Sequence, residues 1–313
     1  MVASGQLLGN LLLRSTFQLS LWHHILFSHM APHRFVRNII IAAYSVVALA
    51  GTAQAQSLVS DSTTWMDGFD DWLDEISQGR REHWQFGVGV GVGAAPDYPG
   101  GDNYKELVLP VFQIKYKDQI TLDPLGLRVR IWKNDNWRLR LVAGMSESRK
   151  ADSTSAVSLL PDVDRGVNAG FVLEGRVAGP VAFRLNARKE FAGGHNGVTV
   201  TPSLGIVLRD KKETFSVIPE IALTWGNERY MDAFFSVTPT GSAASKLAIY
   251  DASAGFREAA VRLTASYSVS KDWTVLARIQ AAQLLKEAKR SSIVRQAGDS
   301  FQGVVGVGVM YTF

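Results

Sequence analysis

The chain has 313 residues, 46% of them hydrophobic, and no cysteine. That hydrophobic fraction is ordinary for a globular protein and does not suggest a bundle of membrane helices; the missing cysteines exclude a disulfide framework and thiolate chemistry. The formal charge of +4 is concentrated at the start: residues 1–55 hold Arg14, Arg34 and Arg37 and no carboxylate, leaving 30 basic against 29 acidic residues in 56–313, which lacks the basic surplus of a nucleic-acid-binding domain.

From Met30 the sequence reads MAPHRFVRNIIIAAYSVVALAGTAQAQS. Arg34 and Arg37 form a positive start, residues 39–50 an apolar core, and Ala53-Gln54-Ala55 a small-residue cleavage site. This three-part pattern predicts a secretory signal peptide over residues 30–55. The apolar core is shorter than the roughly 20 residues that a membrane-spanning helix needs. Residues 1–29 then read as an upstream extension, and His23, His24 and His29 carry no role.

Residues 56–83 follow as an exported acidic segment. Trp65, Phe69, Trp72 and Ile76 recur at helical spacing, and Asp67, Asp70, Asp71, Asp74 and Glu75 lie among them. The spacing predicts one short amphipathic helix with an apolar stripe and its acids toward the N-terminal turns. Such a helix either docks on its own protein or binds a partner. Through Asp70, Asp71 and Asp74 it could also enter and plug a basic lumen.

At Trp84 the period changes from 3.6 to 2. WQFGVGVGVGA places Trp84, Phe86, Val88, Val90 and Val92 on one face, with only glycine opposite from Gly87 to Gly93. NWRLRLVAGM, PVAFRLNARKEF, GVTVTPSLGIVLR, TFSVIPEIALTW, EAAVRLTASYSVS, DWTVLARIQ and the closing FQGVVGVGVMYTF alternate in the same way. Alternation alone also suits an antiparallel sheet with one wet face. Three further features point to a membrane barrel instead. The strands run about ten residues, enough to cross a bilayer with tilt. Trp84, Trp137, Trp225, Trp273 and Tyr311 sit at strand ends, where a bilayer has its interfaces. The polar face carries Arg128, Arg130, Arg138, Arg140, Glu174, Arg176, Arg184, Arg188, Glu190, Glu220, Arg262 and Arg278, which suit a charged lumen.

Connections alternate between short ones, at 117–118, 133–136, 178–180, 210–213 and 270–272, and long ones, at 95–106, 147–166, 192–197, 226–257 and 286–300. With one further reversal at 123–126 the alternation gives an all-β antiparallel transmembrane barrel of twelve strands over residues 84–313; without those two short strands the number is ten. Pairing 301–313 with 84–94 would close the sheet, so that no backbone edge is left in lipid.

AAPDYPGGDNY after the first strand, LPVFQIKYKD, FAGGHNG, YMDAFF and the terminal GVGVMYTF, in this order and spacing, resemble the MltA-interacting protein family, MipA/OmpV, over the whole of 84–313. Ser291-Ser292-Ile293-Val294 stands where members usually carry a serine-proline pair. The resemblance implies a non-enzymatic outer-membrane protein of a Gram-negative cell that scaffolds peptidoglycan remodelling, holding a lytic transglycosylase near a murein synthase. Some relatives are porin-like, adhesive or antibiotic-binding. Tyr311 and Phe313 match the terminus that barrels of this kind present to their assembly machinery. Besides outer-membrane lipid, the partners implied are therefore periplasmic murein hydrolases and synthases.

Other chemistry is weakly signalled. GVGVGVG lies in a strand with no helix behind it, so a nucleotide site is not expected. His195 in GGHNG has no cysteine or carboxylate pair beside it and reads as a polar turn residue, with no metal and no cofactor expected. Asp97 and Asp102, near Tyr98 and Tyr104, could bind a cation or a sugar but read as a solvated loop. No G-x-S-x-G elbow occurs. A channel for small anionic solutes is the alternative that the arginine-rich face suggests.

Overall fold

The computed structural model describes residues 84–117, 119–151, 155–212 and 214–313. The signal peptide and the acidic helix with Trp65, Phe69, Asp70, Asp71, Trp72, Asp74 and Ile76 lie outside these residues.

Thirteen strands form one antiparallel sheet: β1 (Trp84–Pro96), β2 (Tyr104–Tyr116), β3 (Ile120–Asp123), β4 (Gly126–Lys133), β5 (Trp137–Met145), β6 (Val167–Ala178), β7 (Val181–Ala192), β8 (Val198–Ile206), β9 (Leu208–Arg209), β10 (Phe215–Gly226), β11 (Gly255–Ser268), β12 (Trp273–Leu284) and β13 (Phe301–Thr312). β9 continues β8 past Val207, so the wall has twelve staves. Each stave pairs with its neighbours in sequence, and β1 pairs with β13 from Gly87↔Thr312 to Ala94↔Val305. The barrel is closed. Phe313 donates its N–H to the Phe86 carbonyl at 2.8 Å, which ties the last residue into the seam.

The reversal at 123–126 is real and decides twelve staves over ten. β3 has only four residues, and β2 is laddered to it only from Ile114 to Tyr116. Residues 104–113 of β2 therefore have no ladder partner on that side among the described residues. Pro110, which lacks an N–H, falls within this stretch, as proline does on sheet edges.

Alternation sets which side chains meet lipid. Val261 and Ile221 are 60% and 59% exposed on the outer face, a level that only a nonpolar surrounding makes favourable for so many apolar residues. Aromatic pairs gather at the short-turn rim: Trp84 with Tyr116 at 4.7 Å, Trp273 with Tyr311 at 5.0 Å and Tyr311 with Phe313 at 5.1 Å. Inside, the glycine face of β1 lets neighbouring strands and side chains come close. A Cβ on Gly89 would lie 2.1 Å from the Val309 carbonyl oxygen, while the space at Gly87 and Gly91 is met by Met310, Gln113 and Val111. Leu107, Val111, Leu125, Leu276, Val304 and Met310 form an apolar cluster within this part of the lumen.

The long loops are not loose. They carry α1 (Glu228–Phe235), α2 (Pro239–Ser245), α3 (Lys286–Arg290), α4 (Ser292–Ala297) and a 3-10 turn at Ala156–Leu159. Asn227 caps α1 by accepting from Tyr230 N–H, and Thr238 caps α2 with proline in its first turn. Tyr230, Met231, Phe234 and Phe235 form one buried stripe of α1 and pack on Val163, Ala252, Leu284, Ala288 and Val294. A second cluster joins Tyr98, Val157, Leu160, Val237, Leu247 and Ile293. These two cores join four long loops into a folded cap at the long-loop end. Ser291, from the segment that departs from the family's serine-proline pair, caps α4 and donates its hydroxyl to the Phe235 carbonyl.

Candidate functional site

The inward positions of β5, β6 and β7 bring Arg138, Glu174 and Arg184 into direct cross-strand register. Glu174 pairs with Arg138 and Arg140, and Arg184 Nη2 stands 3.8 Å from its second oxygen. Across the lumen, Glu220 faces Arg262 in register at 3.1 Å, and Arg262 Nε donates to Gln280 Oε1 at 2.8 Å. Arg128 pairs with Asp123 across the β3–β4 hairpin. Arg188 donates to Asn168 and Asn186. Arg278 is 1% exposed. Arg130 and Arg176 share the inward phase of their strands, Arg176 at the exposed short-turn end. The sequence-derived lumen set thus shares one face, from Arg176 at the short-turn end through the Glu174 and Glu220 ion pairs to Glu190 at the long-loop end.

At the long-loop end lies a second polar group. Glu190 accepts from the Ser146 hydroxyl and from the N–H groups of His195 and Asn196, both at 2.6 Å. Gly193, at φ +134°, supplies the left-handed turn that brings 195 and 196 over Glu190. The reading of His195 as a polar turn residue needs correction. Its side chain is 6% exposed, with its ring edge-on to Tyr230 and Phe234. Its Nδ1 accepts from Gly197 N–H, and burial lowers its pKa despite Glu190 and Glu147, so the imidazole is neutral at pH 7. Beside it, Arg257 pairs with Glu147 at 2.8 Å and Glu258 at 2.9 Å, and both Glu147 and Arg257 bond the Tyr230 hydroxyl. Burial pushes the Glu147 carboxyl up, but the Arg257 charge and the hydrogen bonds from Tyr230 and Arg257 outweigh it and hold the group below the ordinary carboxylate value. This network fastens the cap to the wall. Ser146 donates its hydroxyl to Glu190, which ties the end of β5 into the same network.

Asp97 also departs from expectation. Asp102 is exposed, but Asp97 and Tyr98 are 5% and 4% exposed. Burial raises the Asp97 pKa to about 6 and that of Tyr98 to about 12. The loop is part of the cap: Gly100 N–H donates to Gln302 Oε1 at 2.9 Å and Tyr98 to the Ala297 carbonyl at 3.3 Å.

Asp123, Glu147, Tyr230, Arg257 and Glu258 complete these networks without having been singled out in the sequence. Glu258 was legible, because it continues the inward phase of Arg262. Arg257 was not, because alternation puts it on the face opposite Glu258, and only the register shift at Thr224/Trp225, which leaves 257 without a ladder partner on β10, lets it pair with Glu258 inside. Among the described residues no group of three or more histidines and acids is placed to hold a metal ion.

The short-turn end is different. A cavity of about 580 Å³ opens there, lined by Lys133, Arg138, Arg176, Arg184 and Arg209 against Asp135, Glu174 and Glu220. Toward the cap, the polar spaces beside Arg257 amount to about 40 and 70 Å³.

The family model described as MltA-interacting protein MipA matches residues 88–313. The chain belongs to this family. It is an outer-membrane β-barrel protein of Gram-negative type, as the seam, the lipid face and the family together require. No curated protein matches it. Among solved structures it is similar to the CymD monoaromatic hydrocarbon channel at 10% identity and TM-score 0.40, over 81% of this chain and 93% of that one. It is also similar to the KdgM porin at 10% identity and TM-score 0.37, over 72% and 99% of the two chains. The translocator domain of autotransporter NalP from Neisseria meningitidis matches at 12% identity and TM-score 0.33, over 82% and 99%.

Proposed function

We propose that this MipA-family barrel is a non-enzymatic scaffold that holds a periplasmic murein hydrolase of the MltA type at the outer membrane. The observation that carries the reading is asymmetry between the two ends. Packed loops with two apolar cores of their own stand at the long-loop mouth, while the large cavity opens among the short turns, the end at which β1 starts. Long loops face outward in barrels of this kind. The accessible end is therefore periplasmic, where a murein enzyme works and where β1 begins, directly after residues 56–83 in the sequence. Phe313, tied into the seam, fits recognition by the barrel assembly machinery.

Retention of purified MltA-type lytic transglycosylase on the immobilised, detergent-solubilised full-length protein tests this. Retention is expected to fall when residues 61–83 are deleted. Absence of retention by a barrel that still shifts on unboiled gels would contradict it. A second reading, a small-anion channel, is favoured by the cation surplus around the cavity. It requires current through the capped end.

A further inference from the structure

We infer that the periplasm-facing vestibule is a dead-end binding site for a small polyanion, a ligand carrying clustered phosphates or carboxylates. The inference rests on the barrel being closed at its outer mouth, as proposed above.

Three observations converge on it. First, at about 580 Å³ the cavity falls in the size range of small-molecule sites, whereas the spaces nearer the cap hold little more than a few waters. Second, its lining carries five cations against three carboxylates. Two of those carboxylates are already committed, Glu174 to Arg138, Arg140 and Arg184, and Glu220 to Arg262. Lys133, Arg176 and Arg209 are exposed at the mouth, together with Asp135. Third, the five lining cations stand on five different strands, β4, β5, β6, β7 and β9, around one concavity. A low-dielectric barrel wall focuses their field into it. Guanidinium groups bind carboxylates and phosphates through two parallel N–H donors, so arginine suits clustered anionic oxygens better than a single halide.

The clustered anion has two possible sources with the same chemistry. One is the carboxylate group of residues 67–75 of this chain, which precedes β1 at the same end. The other is a separate molecule from the periplasm.

Titration calorimetry in nonionic detergent separates them, with inorganic tripolyphosphate as the probe. Saturable binding is expected to the full exported chain, or to the chain without residues 56–83, and to weaken as sodium chloride is raised. In the triple variant Lys133→Gln, Arg176→Gln, Arg209→Gln, binding should fall at least tenfold while the barrel keeps its shift on unboiled gels. Tenfold or greater tightening on deletion of 56–83 assigns the site to the chain's own acidic segment. Unchanged affinity assigns it to a separate ligand. Absence of saturable binding in both forms, or equal binding in the triple variant, overturns the inference. A bilayer that remains silent in that case leaves the scaffold reading standing.

Discussion

Glu174 shows how the lumen holds its charges. One carboxylate, with its side chain 8% exposed, is shared by three guanidiniums that strand register delivers from both sides. Removing one member of such a buried group leaves charge uncompensated, which costs more than the pair contributes. Asp97 is the opposite case, a carboxyl that burial raises to about 6 and whose Oδ1 has no hydrogen-bond partner among the described residues. For an acid raised in the folded state, the native form holds its proton more tightly than the unfolded one. Its contribution is thus favourable below about pH 4 and is lost as pH rises through about 6. Asp97→Asn should therefore stabilise the 97–103 loop at pH 7.5 by about 1–3 kcal/mol and flatten the dependence between pH 4 and 6. Native-state hydrogen exchange at Gly100 and Gly101, whose N–H groups donate to Gln302 and Tyr98, reads this directly after correction for intrinsic rates. An equal pH dependence in the variant would contradict the burial argument.

At the scale of elements, the wall was legible and the cap was not. Period-2 alternation in β1, β10 and β13 fixed their lipid and lumen faces, and parity of the connections exposed the four-residue β3. The cap escaped because α1–α4 run from five to eight residues, too short for a helical period to stand out. Their burial depends on contacts between loops far apart in sequence. YMDAFF carried the family resemblance, yet nothing in its spacing showed that Phe234 and Phe235 would be fully buried. The same holds for Glu147 and His195, whose neighbours Tyr230, Phe234 and Arg257 stand on α1 and β11. Phe234→Ala should cost the cap about 3–5 kcal/mol and open residues 227–254 to protease from the outer surface, while the barrel keeps its shift on unboiled gels. Continued protease resistance would show that the cap does not depend on the α1 stripe.

For the whole molecule, the account joins a closed wall, a cap fastened by the Arg257–Glu147–Tyr230 and Glu190 networks, and a basic vestibule at the opposite end. Lumen arginines alone would suit an anion channel equally well. What separates the readings is where space remains: large at the short turns, small under the cap. A channel needs a continuous wet path, and ion pairs such as Glu220–Arg262 and an apolar cluster lie on the inner face of the barrel. The decisive measurement is planar-bilayer conductance of the full exported chain at neutral pH. The account predicts a silent membrane in the wild type; a steady, anion-selective current through the wild-type protein would contradict it.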